Sequence, residues 1–438
     1  MKKGWMNLMY QTKYKIFDIF ILILNLMFIL LSLYNFYFSK ILLITTTIAN
    51  ITLLYKSIKQ KSFFIMFFFW FTYIIYLYPY FFFGTQLTPF MHYQNEYIFT
   101  LTLIIHSIFL IFFNLFFKEI KHTDDPKKFI KIKDNYLFFI ASIVIMIFII
   151  VFGKAGETIF ESGGYGKNLT TNFLNLAIYE YYYIFFLLAV KYSDLKKPRL
   201  FVIFSISIFY ILKNLALGGR IESLQLLLLI FLLFYSHKIS SKLFFIGLFI
   251  GYYFFDIYGR FRGNPLIIFE GWEWLKPFNF NIDIISNNQT NVFYNVAAFV
   301  GLVQDNLFDI TFRVKSFFYF ILSLFMPSKY IPKEYNLWRA GQSLGVNYGG
   351  GGLISSIIYV WLGIVGVILI ADFFAKIFNN YNKNSSKEYV FIYIFMLLST
   401  FPRWFAYSPI TAFKLCVYSV IIFWVVDKLE EIFGKTKI

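Results

Sequence analysis

The residues of this 438-residue chain best suited to hold a ligand are its arginines, and there are seven of them against 33 lysines. The topology read below places Arg220, Arg260, Arg262, Arg313, Arg339 and Arg403 on the outer face of a membrane, and Arg199 alone inside. That distribution runs against the usual positive-inside bias. A guanidinium is a planar, permanently charged fork that grips phosphate with two parallel hydrogen bonds, which the point charge of lysine does not reproduce. An outward arginine set therefore implies an anionic, phosphorylated ligand at the outer surface.

The stretch "ALGGRIESLQLLLLI" (216–230) is the most compact of these sites. Gly218 and Gly219 allow a tight reversal and close approach of a ligand, and Arg220 opens the next helix, whose unpaired amides carry partial positive charge. Two readings of Arg220 are open: it binds an anion at headgroup level, or it snorkels to the interface or pairs with Glu222, two residues further on. Other charges lie near outer helix ends, namely Glu180, Lys213, Asp256, Arg260 and Lys414, with Arg403 in the turn "TFPRWFAYSP". Ionisable groups within a span are costly and face a partner or a wet cavity. Glu180, about 10 Å below the outer surface at 1.5 Å per residue, is either a general base or the ion-pair partner of Lys213 or Lys414.

The elements that must hold these residues follow from composition. With 59% apolar and only 14% charged residues, the chain has too little polar surface to coat a soluble globule of its size. Apolar runs fall at about 16–38, 41–55, 63–83, 97–117, 136–152, 173–190, 200–217, 221–236, 243–258, 351–371, 389–400 and 410–427, which predicts twelve transmembrane helices in an all-α, polytopic protein. The runs at 41–55 and 389–400 are the shortest. The first run has no cleavage site after it and is expected to stay as a helix. With the N-terminus inside, 25 of the 40 Lys and Arg residues fall in inner segments close to helix ends, so most of the net charge of +17 is topogenic and no argument for nucleic acid. Both termini are then cytoplasmic.

Three regions result: an N-terminal bundle of about nine helices (1–258), a large outer loop (259–350), and a C-terminal set of about three helices with a cytoplasmic tail (351–438). Within the loop, "NVFYNVAAFVGLV" and "SFFYFILSLFM" are apolar but too short to span, which suggests helices lying on or dipping into the outer leaflet. Trp272, Trp274 and Trp338 in this loop are suited to stacking on a glycan or to interfacial anchoring. The single cysteine, Cys416, excludes disulfides and cysteine metal sites. No zinc-type spacing, phosphate-binding Gly-Lys loop or dinucleotide fingerprint occurs, so neither metal nor cofactor is expected.

Twelve apolar helices with both termini inside, a large late outer loop and a small-small-Arg turn opening a leucine-rich helix together resemble the bacterial O-antigen polymerases, the oligosaccharide repeat-unit polymerases of a wider polymerase and ligase superfamily. The resemblance covers most of the chain as topology and a few positions as motif. Some members carry an arginine followed by ten residues and a glycine in functional outer loops, a spacing found here at Arg260 to Gly271 and Arg339 to Gly350. Both copies lie in one long segment here, where the family uses two loops. The glycine run of "YGGGGLISSIIYVWLGIVGV" is similar to the family's closing segment.

The resemblance implies a metal-independent, inverting glycosyl transfer on the periplasmic face of the inner membrane, joining undecaprenyl diphosphate-linked repeat units during lipopolysaccharide biosynthesis. Arg220, Arg260 and Arg339, then Arg262 and Arg403, with Gly219 and Gly350, are its candidates for diphosphate and glycan binding. Glu222, Asp256 or Glu180 is the candidate base. The expected partners are the lipid-linked glycan donor and acceptor, the lipid bilayer and a chain-length-regulating co-polymerase. Rival readings are the sister ligase, whose usual loop histidine has no counterpart in 259–350 (His92, His106, His122 and His237 all lie elsewhere), another lipid-linked sugar transferase, and a flippase, against which the long loop and the absence of repeated halves speak.

Overall fold

Long apolar segments leave the backbone few solutions in lipid, because each N–H and C=O must be satisfied within the segment or by protein around it. The computed structural model describes residues 2–84, 95–121, 125–153, 156–164, 178–269, 271, 288–326, 330–346, 351–383 and 387–435. Among them the regular elements are all helical, apart from one isolated bridge between Asp134 and Ser193. The α-helices are α1 (Lys2–Tyr34), α2 (Ser39–Ser57), α3 (Lys61–Ile75), α4 (Tyr78–Phe83), α5 (Glu96–Phe116), α6 (Tyr136–Phe152), α7 (Tyr182–Lys191), α8 (Lys197–Ala216), α9 (Arg220–Ile230), α10 (Ser241–Gly263), α11 (Asn288–Gln304), α12 (Ile310–Ser323), α13 (Leu337–Ser343), α14 (Ile354–Asn379), α15 (Glu388–Ala406), α16 (Ile410–Phe413) and α17 (Leu415–Lys435). Several begin at caps of the expected kind: Asn95, Ser240, Asp309 and Asn336 each accept a backbone N–H from the first turn they precede.

Nine segments among the described residues are long and apolar enough to cross a membrane: Ile16–Tyr34, Phe36–Ser57, Lys61–Phe83, Glu96–Phe116, Lys197–Ala216, Ser241–Gly263, Ile354–Asn382, Glu388–Ala406 and Ile410–Phe433. The chain is a polytopic helical membrane protein. Each of the nine coincides with an expected run. The other three of the twelve are helical but shorter: α6 has 17 residues, α7 has 10, and α9 has 11 before a π-helical turn at Phe231–Tyr235. Conversely, the two shortest runs lie inside helices of 22 and 19 residues, because polar residues at their ends continue the helix.

The chain clusters into two compact units, each assembled from three stretches. The first comprises 1–122, 280–384 and 402–414. Its α5 and α11 are enclosed by protein on most sides: Phe99, Leu103, Ile105 and Phe109 of α5, and Val292, Val296, Phe299 and Leu302 of α11, are all buried. Trp70 stacks on Phe405 at 4.6 Å and meets Phe113 edge-on at 5.0 Å. α14 breaks at Gly363, where φ is +65° and ψ −163°. The carbonyls of Tyr359 and Val360 lie at this break and accept from Arg313 of α12 at 3.4 and 2.6 Å. A buried ion pair joins α1 to α2: Lys56 donates to Asp18 at 2.7 Å and to the carbonyls of Asn114 and Phe117 at 2.6 and 3.3 Å.

One loop of this unit is held in an unusual way. Asn379 donates to the carbonyl of Phe116 and accepts from the amide of Lys118. Asn382 repeats the pattern on Glu119 and Lys121. Both primary amides thus bond the extended main chain through an acceptor and a donor each.

The second unit comprises 123–279, 385–401 and 415–438. Lys191, at the end of α7, is buried and lies 2.7 Å from Asp427 and 3.2 Å from Glu388. Tyr389 donates to Asp427 at 3.0 Å, while Tyr192 and Lys133 both donate to Glu430. Near this network Asp134 accepts from Lys196 and, at 2.7 Å, from Arg199. Those donors, Lys196 foremost, hold its carboxyl below the ordinary value of 3.8.

Two predictions follow from these charges. Removing Lys191 strands buried carboxylates, so Lys191→Met should cost about 3–5 kcal/mol, whereas Lys428→Met, which breaks an exposed pair with Glu431, should cost under about 1 kcal/mol. Unfolding of the two detergent-solubilised variants checks the contrast; equal losses would show that the buried network is not what holds α7. A depressed folded value means that the Asp134 contribution is present above the unfolded value and is lost as pH falls. The difference in thermal midpoint between wild type and Asp134→Asn should accordingly persist at neutral pH and close below about pH 4.

Candidate functional site

The sequence-marked arginines divide between the two units. In the second unit the Gly218-Gly219 turn gathers most of them. α8 ends at Ala216, and Gly218 takes φ +76°, the left-handed value that a helix-terminating glycine supplies. The amide of Gly219 then bonds the carbonyl of Asn214 at 2.8 Å, and α9 starts at Arg220.

This turn is mounted from three sides. The hydroxyl of Ser223 reaches the carbonyls of Ile211 and Gly219, both at 3.3 Å. From α7, the Tyr183 hydroxyl, with one proton to donate, lies 3.0 Å from the Glu222 carbonyl and 2.9 Å from the Gln225 side-chain oxygen, and it receives a bond from Tyr210 at 3.3 Å. Tyr210 in turn stacks on Tyr179 at 4.6 Å and Tyr182 at 4.1 Å. From the last turns of α10, Tyr258 donates to the Leu215 carbonyl and Arg262 to the Gly218 carbonyl at 3.0 Å.

Arg220 occupies the centre. It is half-buried, and its Nη1 makes one long hydrogen bond of 3.4 Å to the Phe255 carbonyl. No carboxylate among the described residues lies within ion-pair distance of it, so the alternative of an Arg220–Glu222 pair is not what the structure contains. Asp256 is engaged by Arg260, one turn later on α10, at 2.8 Å. Gly218, Gly219, Arg220, Asp256, Arg260 and Arg262 are thus brought to one turn, with Glu222 in the first turn of α9. Glu180 sits half-buried in the single turn Tyr179–Tyr181 that leads into α7.

In the first unit, Arg339 is exposed on α13, whose start is capped by Asn336 at 3.2 Å. Arg403 stands over the ring of Tyr407, 5.8 Å from its centroid. The Tyr407 backbone packs against Gly351, where φ is +80° and any Cβ would fall 2.5 Å from the Tyr407 Cα. Trp338 packs edge-on against Phe299 at 5.2 Å and close over Gly352. Gly350, His92, His122, Trp272 and Trp274 lie outside the described residues.

Two lysines at helix ends, weighed as ion-pair partners of Glu180, donate to backbone carbonyls. Lys213 donates to the carbonyls of Ile150 and Val151 at the end of α6, and Lys414 to those of Ser323 and Met326 after α12, at 2.8 and 3.2 Å. His106 is buried, its Nδ1 3.2 Å from the Ser355 hydroxyl. Sequence reasoning missed the supports of the turn, Tyr183, Tyr210 and Tyr258, which read as ordinary aromatic content.

Fold and site together define a helical membrane protein with an arginine-rich turn at the end of two of its spans. Compared with known proteins, the chain matches no family model, no curated protein and no solved structure.

The geometry separates two arginines by reactivity. Arg313 is committed to two carbonyls, while Arg220 has one weak bond. An arginine-selective dicarbonyl reagent should modify Arg220 several-fold faster than Arg313, read by peptide mass spectrometry; equal rates would mean that the Arg220 donors are occupied.

Proposed function

We propose that the chain is a membrane glycosyltransferase that polymerises undecaprenyl diphosphate-linked oligosaccharide repeat units on the periplasmic face of the bacterial inner membrane, with both termini cytoplasmic. One observation carries the reading: the Arg220 guanidinium stands at the first position of a helix with most of its donors unspent, beside Arg260 and Arg262. Permanent positive charge left without a carboxylate at a helix N-terminus is chemically suited to a phosphorylated group.

In the proposed reaction an acceptor hydroxyl of the fresh repeat unit attacks the anomeric carbon of the growing chain. The bond between that carbon and the diphosphate oxygen breaks, and the lipid diphosphate leaves with the bonding pair. Negative charge then grows on the diphosphate, where Arg220, Arg260 and Arg262 stabilise it without a metal. A carboxylate, Glu222, Asp256 or Glu180, takes the hydroxyl proton. The Arg260 contact orients Asp256. A co-polymerase that sets chain length is the proposed protein partner.

Cells lacking the gene should carry core with a single repeat unit, and wild type should restore the glycan ladder. Arg220→Ala should fail to restore it at normal membrane levels, and Arg220→Lys should recover it poorly, because lysine lacks the fork. Polymer accumulating on its lipid carrier in the null strain would instead identify a ligase, and a full ladder with Arg220→Ala would remove Arg220 from the site.

A further inference from the structure

Helix α10 carries four glycines, at 247, 251, 259 and 263. Glycine inside a helix weakens it relative to alanine, because it loses more backbone freedom on folding and packs nothing. At Gly247, Gly251 and Gly263 a Cβ would meet no neighbouring atom within 4 Å. Gly259 is different. A Cβ there would fall 2.5 Å from Nη1 of Arg220 and 3.6 Å from its Cζ. The guanidinium of Arg220 therefore rests directly on the bare backbone of α10, in the space that any other residue's side chain would fill. The same nitrogen bonds the carbonyl of Phe255, one turn earlier, and one turn later Arg262 holds the Gly218 carbonyl.

We propose that Gly259 is a positioning residue: by lacking a side chain it seats the Arg220 guanidinium against α10, next to Arg260 and Arg262, and so sets the geometry in which that group meets a phosphorylated ligand. The proposal rests on the reading of Arg220 as an anion-binding residue. Its physical content is specific. The obstructing atom is the tip of a flexible side chain, not backbone, so a methyl group at 259 leaves the fold intact and moves the arginine. The helix itself gains from the exchange, since alanine is the better helix former. Gly259→Ala should therefore be at least as stable as wild type yet defective in ligand binding, a combination that a purely structural role would not produce.

The experiment is titration of the full-length protein, purified in detergent, with inorganic pyrophosphate at fixed ionic strength. Wild type, Gly259→Ala, Gly251→Ala, Arg220→Ala and the double variant Gly259→Ala with Arg220→Ala are compared, each with a thermal unfolding curve. Gly259→Ala should weaken pyrophosphate binding about tenfold, the effect of one displaced charge-assisted hydrogen bond. Gly251→Ala should bind as wild type. The double variant should bind no worse than Arg220→Ala alone, because Gly259 acts through that side chain. If Arg220→Ala weakens binding and Gly259→Ala does not, the seat is overturned while the anion-binding reading stands. If the two substitutions add in full, Gly259 acts independently of Arg220 and the proposal fails. If wild type binds no pyrophosphate, or Arg220→Ala binds as wild type, the anion-binding reading falls and the proposal with it.

Discussion

A helix leaves its last carbonyls without partners, and in an apolar protein each such carbonyl needs a donor. This chain meets that requirement again and again with a cation from a neighbouring segment. Lys56 serves the carbonyls of Asn114 and Phe117, Lys213 those of Ile150 and Val151, Lys414 those of Ser323 and Met326, and Arg313 those beside the break in α14. Arg199 on Tyr192 and Arg262 on Gly218 belong to the same set. A helix end is the negative pole of the element, so the arrangement satisfies hydrogen bonding and charge together. Each long side chain also reaches from one helix to the end of another or to the segment beyond it, and so fixes their relative depth within the unit.

Against that pattern Arg220 is the exception. It stands at the positive end of its helix, where a cation gains nothing from the backbone dipole. Its one hydrogen bond to a carbonyl is long, at 3.4 Å, with no shorter one beside it. The structure nevertheless supports the turn that carries it with Tyr183, Tyr258, Ser223 and Arg262. The functional proposal builds on this contrast.

Much of the membrane architecture was legible in the sequence, because hydrophobic length is a local property. Among the described residues every helix long enough to span coincides with an apolar run, and the double glycine did terminate one helix and begin the next. What escaped was non-local. Lys191 looked like one more basic residue of an inner loop, yet it is buried between two helices that arrive some two hundred residues later. Arg313 was indistinguishable from the other outer arginines, because its role depends on a break at Gly363 that composition does not announce. Of the site, Arg220, Asp256, Arg260 and Arg262 each read as lying near a helix end, but their meeting at one turn did not. The seat at Gly259 required coordinates, since a glycine that receives a side chain and one that faces open space read the same.

The two asparagines at the end of α14 and just beyond it carry a different kind of consequence. A primary amide offers the same donor and acceptor as a peptide unit, so Asn379 and Asn382 bind residues 116–121 as a neighbouring strand would, through main-chain atoms alone. Recognition of that kind is indifferent to the side chains of the segment it holds. Lys118 and Lys121, both exposed, are thereby released from the task of docking their own loop, and mutation can rewrite their chemistry while the clasp and the buried Ile120 keep its path. The two amides act as a fixed clasp around a stretch of chain that is free to drift.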